Sequence, residues 1–126
     1  MMPKLMKVDK YIKGILKLYN SKKTVYELMN IYMLPNKKIG ELSKGNLQKL
    51  GILQIVENDT RYYVFDEPLD GLDDYAKKLF KGIISELLSK DKIIIMSLHN
   101  KSFFNDLKPK IYKLKDGLLH EGKKKI

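Results

Sequence analysis

The sequence predicts an α/β fold in which a helical portion precedes a small parallel-sheet unit and a closing β-hairpin. Three observations carry this expectation. Residues 8–56 place apolar side chains at helical spacing. Two short β-branched and aromatic runs, YYVF at 62–65 and KIIIMS at 92–97, flank a long amphipathic segment, as in a strand–helix–strand crossover. Finally, IYKLKDGLLHEG at 111–122 has apolar arms around Asp116-Gly117, a two-residue hairpin signal.

The elements follow in order. Val8, Tyr11, Ile12, Ile15, Leu16 and Tyr19 form one face of a first helix, broken at Asn20-Ser21. Thr24 and Glu27 make a T-x-x-E capping box for a second helix through Leu28, Ile31 and Tyr32, which Pro35-Asn36 ends. Ser43 is a suitable N-cap for a third helix carrying Leu47, Leu50, Leu53 and Val56, fading at ENDT. YYVF then reads as a short buried strand. Asp73 or Asp74 can cap a long helix with Leu79, Phe80, Ile83 and Leu87 on its apolar side. The continuous run in KIIIMS suits a second buried strand, in a parallel sheet covered on both faces. A short helical segment around Phe103–Leu107 precedes Pro109 and the hairpin. The expected division is a helical subdomain at 1–58 and a sheet portion at 59–126.

Composition narrows the function classes. The chain has 126 residues, 44% hydrophobic and 32% charged, enough for one domain with a real core. With no Cys, disulfides, Cys-ligated zinc and thiol catalysis are excluded. The longest apolar run, IIIM at 93–96, is far short of a membrane span, and MMPKLMKVDK has no apolar signal core. A cytoplasmic protein is expected. The net charge of +10 suggests nucleic acid or an anionic membrane surface, but Arg61 is the only Arg among 25 basic residues. The lysines are scattered apart from KKK at 123–125, whereas nucleic-acid readers use Arg at base edges and interleaved aromatics. Solvated surface lysines and no nucleic-acid partner are the expectation.

Ligands of open parallel sheets sit at the carboxyl ends of the strands. Asp66-Glu67 and His99 fall there. Four large apolar residues followed by Asp-Glu form a Walker B pattern, in which the Asp holds Mg²⁺ through water and the Glu polarises an attacking water. The plainer alternative is a strand running out into a polar loop. LSKGN at 42–46 stands at a helix start: Ser and Gly there serve as a cap, or the free N–H groups and dipole take an anion that Gly45 lets approach. His99 is either structural or a ligand of a γ-phosphate oxygen, and its separation from His120 argues against a two-His metal site.

Taken together, LSKGN, YYVFDE, PLDGLD and the His after IIIMS resemble the ATP-binding-cassette ATPases in order and approximate spacing, with 23 positions from Ser43 to Asp66 and 33 from Asp66 to His99. The resemblance covers essentially the whole chain. It implies the second half of a RecA-like P-loop NTPase core behind the helical subdomain that carries the family's signature. On this resemblance Leu42–Asn46 is the signature, with Ser43, Lys44, Gly45 and Asn46 near the γ-phosphate of an ATP held mainly by a partner subunit. Asp66 assists Mg²⁺, Glu67 is the catalytic carboxylate and His99 the switch histidine. Leu69–Asp73 is the D-loop at the dimer interface, with Asp73 counted among the nucleotide-site residues. ATP and Mg²⁺ are the implied cofactors. The implied partners are a second nucleotide-binding subunit or ATPase half and a membrane permease, which place the chain on the inner face of the membrane.

Four positions depart from the family's pattern: Lys44 replaces the first signature glycine, and Leu69-Asp70 stand where small hydroxyl residues are frequent. Asn46 replaces the usual glutamine. No G-x-x-x-x-G-K-[S/T] occurs, and the nearest Gly-Lys pair is Gly122-Lys123. The glutamine loop is likewise not among these residues. The chain therefore carries the catalytic trigger without the phosphate cradle, which implies a truncated or split subunit that does not hydrolyse ATP alone and exposes an apolar sheet edge. A non-enzymatic interaction module docking on an intact ATPase, and an inert gene fragment, are the alternative readings. A DNA-repair or chromosome-associated ATPase shares the motifs but carries long coiled-coil or zinc insertions.

Overall fold

A computed structural model describes residues 2–121. The elements run α1 (Val8–Leu18), α2 (Val25–Tyr32), a 3-10 turn (Ile39–Glu41), α3 (Lys44–Val56), β1 (Tyr62–Asp66), α4 (Asp74–Ser89), β2 (Ile93–Ser97), a 3-10 segment (Lys101–Leu107), β3 (Tyr112–Lys115) and β4 (Leu118–Glu121). Gly122-Lys123 and the lysine run at 123–125 lie outside the described residues.

Local chemistry sets the helix ends. α1 buries Val8, Ile12, Ile15 and Leu16 and stops where Asn20 turns left-handed at φ 53°. At α2, Thr24 Oγ1 accepts from the Glu27 N–H (3.1 Å) while Glu27 Oε2 accepts from the Thr24 N–H (3.0 Å), the expected capping box. Ser43 Oγ accepts from the Asn46 N–H (3.1 Å) and starts α3, which buries Leu50, Ile52 and Leu53. Of the two candidate caps for α4 it is Asp73 that serves, with Oδ1 accepting from the Ala76 N–H at 2.8 Å. The segment around Phe103 is helical but of the tighter 3-10 kind.

β1 and β2 pair in parallel, from Tyr62 opposite Ile93 to Asp66 opposite Ser97. α4 makes the crossover and packs on one face, where Phe65 meets Phe80 edge-to-face at 5.1 Å and Phe80 meets Phe104 at 6.1 Å. The buried residues of the helical portion and of the sheet portion form one cluster, from Val8 and Ile12 through Leu50 and Leu53 to Phe65, Phe80 and Ile84. A buried carboxylate, Glu57, is held there by Lys23 Nζ at 3.1 Å. Burial of the neighbouring Tyr32 phenol, and secondly the Glu57 charge, push its pKa upward. β3 and β4 form the hairpin, with Asp116 (φ 53°) and Gly117 (φ 75°) both left-handed at the turn, as a two-residue type I′ connection requires.

The expectation of strands covered on both faces is corrected. Tyr62 (59% exposed), Val64 (62%), Ile93 (38%) and Ile95 (57%) stand on a face that is open among the described residues. Only the alternate residues point into the core: Tyr63 and Phe65 are buried, and Ile94 and Met96 are partly so. The physical reason is that α4 covers a single face of a two-stranded sheet.

Candidate functional site

Equal strand lengths and parallel register bring the polar ends of β1 and β2 together. Ser97 Oγ donates to Asp66 Oδ1 (2.5 Å) and accepts from the Glu67 N–H (3.0 Å), which also donates to the Ser97 carbonyl (3.1 Å). The chain then reverses at Glu67, whose φ of 47° is left-handed. Such a conformation is costly for a side chain with a Cβ and clusters at functional sites. The adjacent Pro68 is fully buried. Gln48, one turn into α3, donates from Nε2 to the carbonyls of Glu67 (3.1 Å) and Pro68 (3.0 Å). His99, just past β2, has Nε2 at 3.3 Å from Glu67 Oε1, with the imidazole 93% and the carboxylate 33% exposed. Asp66, Glu67 and His99 thus meet at one rim, open enough for a ligand.

The residues read from the sequence as the signature form a second group. Ser43 is engaged as the α3 cap, and Lys44 Nζ pairs with Asp70 Oδ2 at 3.1 Å. The residue that replaces the usual glycine and one of those that replace small hydroxyls are therefore each other's partner. At Gly45 a Cβ would lie 2.7 Å from the Gly71 carbonyl oxygen, so packing within the chain is a further reason for glycine there, besides the approach of an anion. Gly71 itself sits at φ 79° against the Lys44 side chain. Asp73 acts on Lys49: burial lowers the Lys49 ammonium pKa, and the Asp73 charge partly offsets this.

Sequence reasoning missed Ser97 and Gln48. Ser97 had a signal, because aligning the two apolar runs at their polar ends sets it beside Asp66. Gln48 had none, since its partners are backbone carbonyls distant in sequence.

Hard oxygens of Asp66, Glu67 and Ser97 line this rim. Among the described residues no three acidic or histidine side chains converge into a cage. This donor set fits Mg²⁺, which takes one or two carboxylates and completes its shell with phosphates and water.

No protein-family model matches the chain. An uncharacterised ABC transporter ATP-binding protein of Methanocaldococcus jannaschii is 39% identical over 87 residues, 68% of this chain. The chain is a homologue of the ATP-binding-cassette transporter ATPases. It spans only 33% of that ABC relative, matching the C-terminal portion of such proteins. A Pyrococcus furiosus structure assigned to ABC transporters is 29% identical with a TM-score of 0.64, covering 81% of this chain and 54% of the other. A dimeric ATP-binding cassette with ADP and Pi shares the fold, with a TM-score of 0.73 at 19% identity over 98% of this chain. The α/β architecture is accordingly that of an ABC P-loop domain in part.

Proposed function

We propose that this chain supplies the signature and catalytic half of an ABC ATPase that couples ATP binding and hydrolysis to membrane transport. Residues 1–58 act as the helical subdomain and 59–126 as the C-terminal half of the nucleotide-binding core. The observation that carries the reading is the meeting of Glu67 and His99 across 3.3 Å beside Asp66, at the ends of adjacent parallel strands.

In this reading Asp66 is the carboxylate for Mg²⁺, and the Ser97 hydroxyl holds its Oδ1 in place. Bound Mg²⁺ supplies charge neutralisation at the β- and γ-phosphate oxygens. Glu67 orients the attacking water and accepts its proton, while His99 bonds a γ-phosphate oxygen. Ser43 and the first N–H groups of α3, with Lys44, Gly45 and Asn46, face the γ-phosphate of an ATP in a second nucleotide-binding subunit. Leu69–Asp73 lies at the interface between the two, with Asp73 at the start of α4. The phosphate cradle comes from residues outside these 126, and a permease subunit anchors the assembly on the cytoplasmic side of the membrane. Among the described residues no helix is long and apolar enough to cross it.

The test is co-expression with a Walker A-bearing core segment of an ABC ATPase. The chain alone should show no Mg-ATP turnover above its Glu67→Gln control. The complemented protein should turn over, and Glu67→Gln should reduce kcat at least about 100-fold, the scale of a lost general base. A complex that binds ATP and works equally well with Glu67→Gln would refute the assignment. A stable complex without turnover favours the docking module instead.

A further inference from the structure

Lys44, Gly45 and Gln48 lie within two turns of α3, at spacings that put them on one face. All three meet the loop that follows Glu67. Lys44 reaches the Asp70 carboxylate, Gly45 abuts the Gly71 carbonyl, and Gln48 bonds the carbonyls of Glu67 and Pro68. The three contacts differ in strength. The ion pair is 74% and 63% exposed on its two sides, so it contributes little. The glycine contact leaves no room for even a methyl group, so the two backbones approach closely there. The Gln48 bonds are part-buried and reach two consecutive carbonyls from a single nitrogen.

We infer that the first two turns of α3 and loop 67–71 form one mechanical unit, in which Gln48 is the positioning residue for Glu67. The direction of the Glu67 side chain follows from its backbone, because its one side-chain partner among the described residues, His99, is 93% exposed and gives little restraint. That backbone is left-handed, and two donors hold its carbonyl: the Asp70 N–H at 3.1 Å from within the loop and Gln48 from α3. Without Gln48 the Glu67 carbonyl keeps only the Asp70 N–H, a donor from within the loop. With it, a shift of α3 carries the Glu67 peptide along, and the seating of this chain's signature is felt at its own carboxylate. The Lys44–Asp70 pair fits the same design, as two substitutions that keep signature and loop in register. This catalytic consequence rests on the function proposed above; the mechanical unit does not.

The experiment uses the full chain and Gln48→Leu. Amide hydrogen exchange at Asp70 and Leu72 should quicken at least about tenfold, the scale of one lost net hydrogen bond, while Phe80 and Ile84 in α4 change less than about twofold. The isosteric Gln48→Glu removes the donors at constant volume, and serves if the leucine variant does not fold. In the complemented enzyme both variants should lower kcat about tenfold and leave the KM for ATP within about twofold, since a positioning residue acts on the chemical step and not on nucleotide binding. Unchanged exchange at Asp70 overturns the unit. Faster exchange with unchanged kcat, or an effect on KM alone, overturns the positioning role. Exchange needs no nucleotide, so it decides the unit even where the complemented wild type turns nothing over, an outcome that counts against the hydrolytic reading alone.

Discussion

Glu67 is held at φ 47°, a conformation that glycine adopts at no cost and that costs a residue with a Cβ about 1–2 kcal/mol. This inverts an ordinary ranking. At most positions glycine is less stable than alanine by about 0.5–1 kcal/mol, yet Glu67→Gly should be at least about 1 kcal/mol more stable than Glu67→Ala. Urea unfolding of the two variants checks this, and an alanine variant as stable as the glycine one would show the turn to be relaxed. Glu67 was legible as a site residue because an Asp-Glu pair at the end of an apolar run is unusual in itself. The strain was not, since nothing in the letters DEP announces a left-handed residue. Gln48 escaped for a related reason: it acts on peptide groups, and peptide groups leave no mark in a sequence.

Among the elements, α4 and the 3-10 segment are joined by Lys81, whose Nζ lies 2.6 Å from Asp106 Oδ1 and 5.0 Å from the centre of the Phe103 ring. The hydrogen bond from Lys81, more than its charge, lowers the pKa of the Asp106 carboxyl. A depressed folded-state value means that the contribution to stability is present above the ordinary aspartate pKa and is lost as pH falls through the folded one. Carboxyl carbon shifts followed by NMR should therefore place the Asp106 midpoint below that of an ordinary aspartate, and Lys81→Met should return it there. An unmoved midpoint in the variant would exclude Lys81 as the cause. At this scale the sequence was informative wherever a signal is local: Thr24, Ser43 and Asp73 cap the helices that they precede. It misled at the strands, because a run such as IIIM looks the same whether its second face is covered within the chain or by something else.

At the scale of the whole molecule, the open face of β1 and β2 leads straight to the rim of Asp66, Glu67 and His99. Tyr62, Val64 and Asp66 share that face with Ile93, Ile95 and Ser97, in register. Whatever covers the apolar part is thereby set beside Asp66, where the proposed function places the phosphate cradle. Replacing both Val64 and Ile95 by Lys should raise the soluble yield of the chain alone and abolish complementation by the Walker A-bearing segment. Burying the parts of these two side chains that are still exposed stabilises by about 2–3.5 kcal/mol, at least about 20-fold in affinity. Undiminished complementation would place the covering segment elsewhere. The same stripe also bears on how much of the protein a cell can keep. Two short strands with open edges and a row of bare Ile, Val and Tyr are what aggregation and quality control act upon. Under the proposed function, a copy made in excess of its cover would have no stable place to go, so the amount that persists would follow the supply of the covering segment, and stoichiometry would be set by survival of the chain rather than by its synthesis.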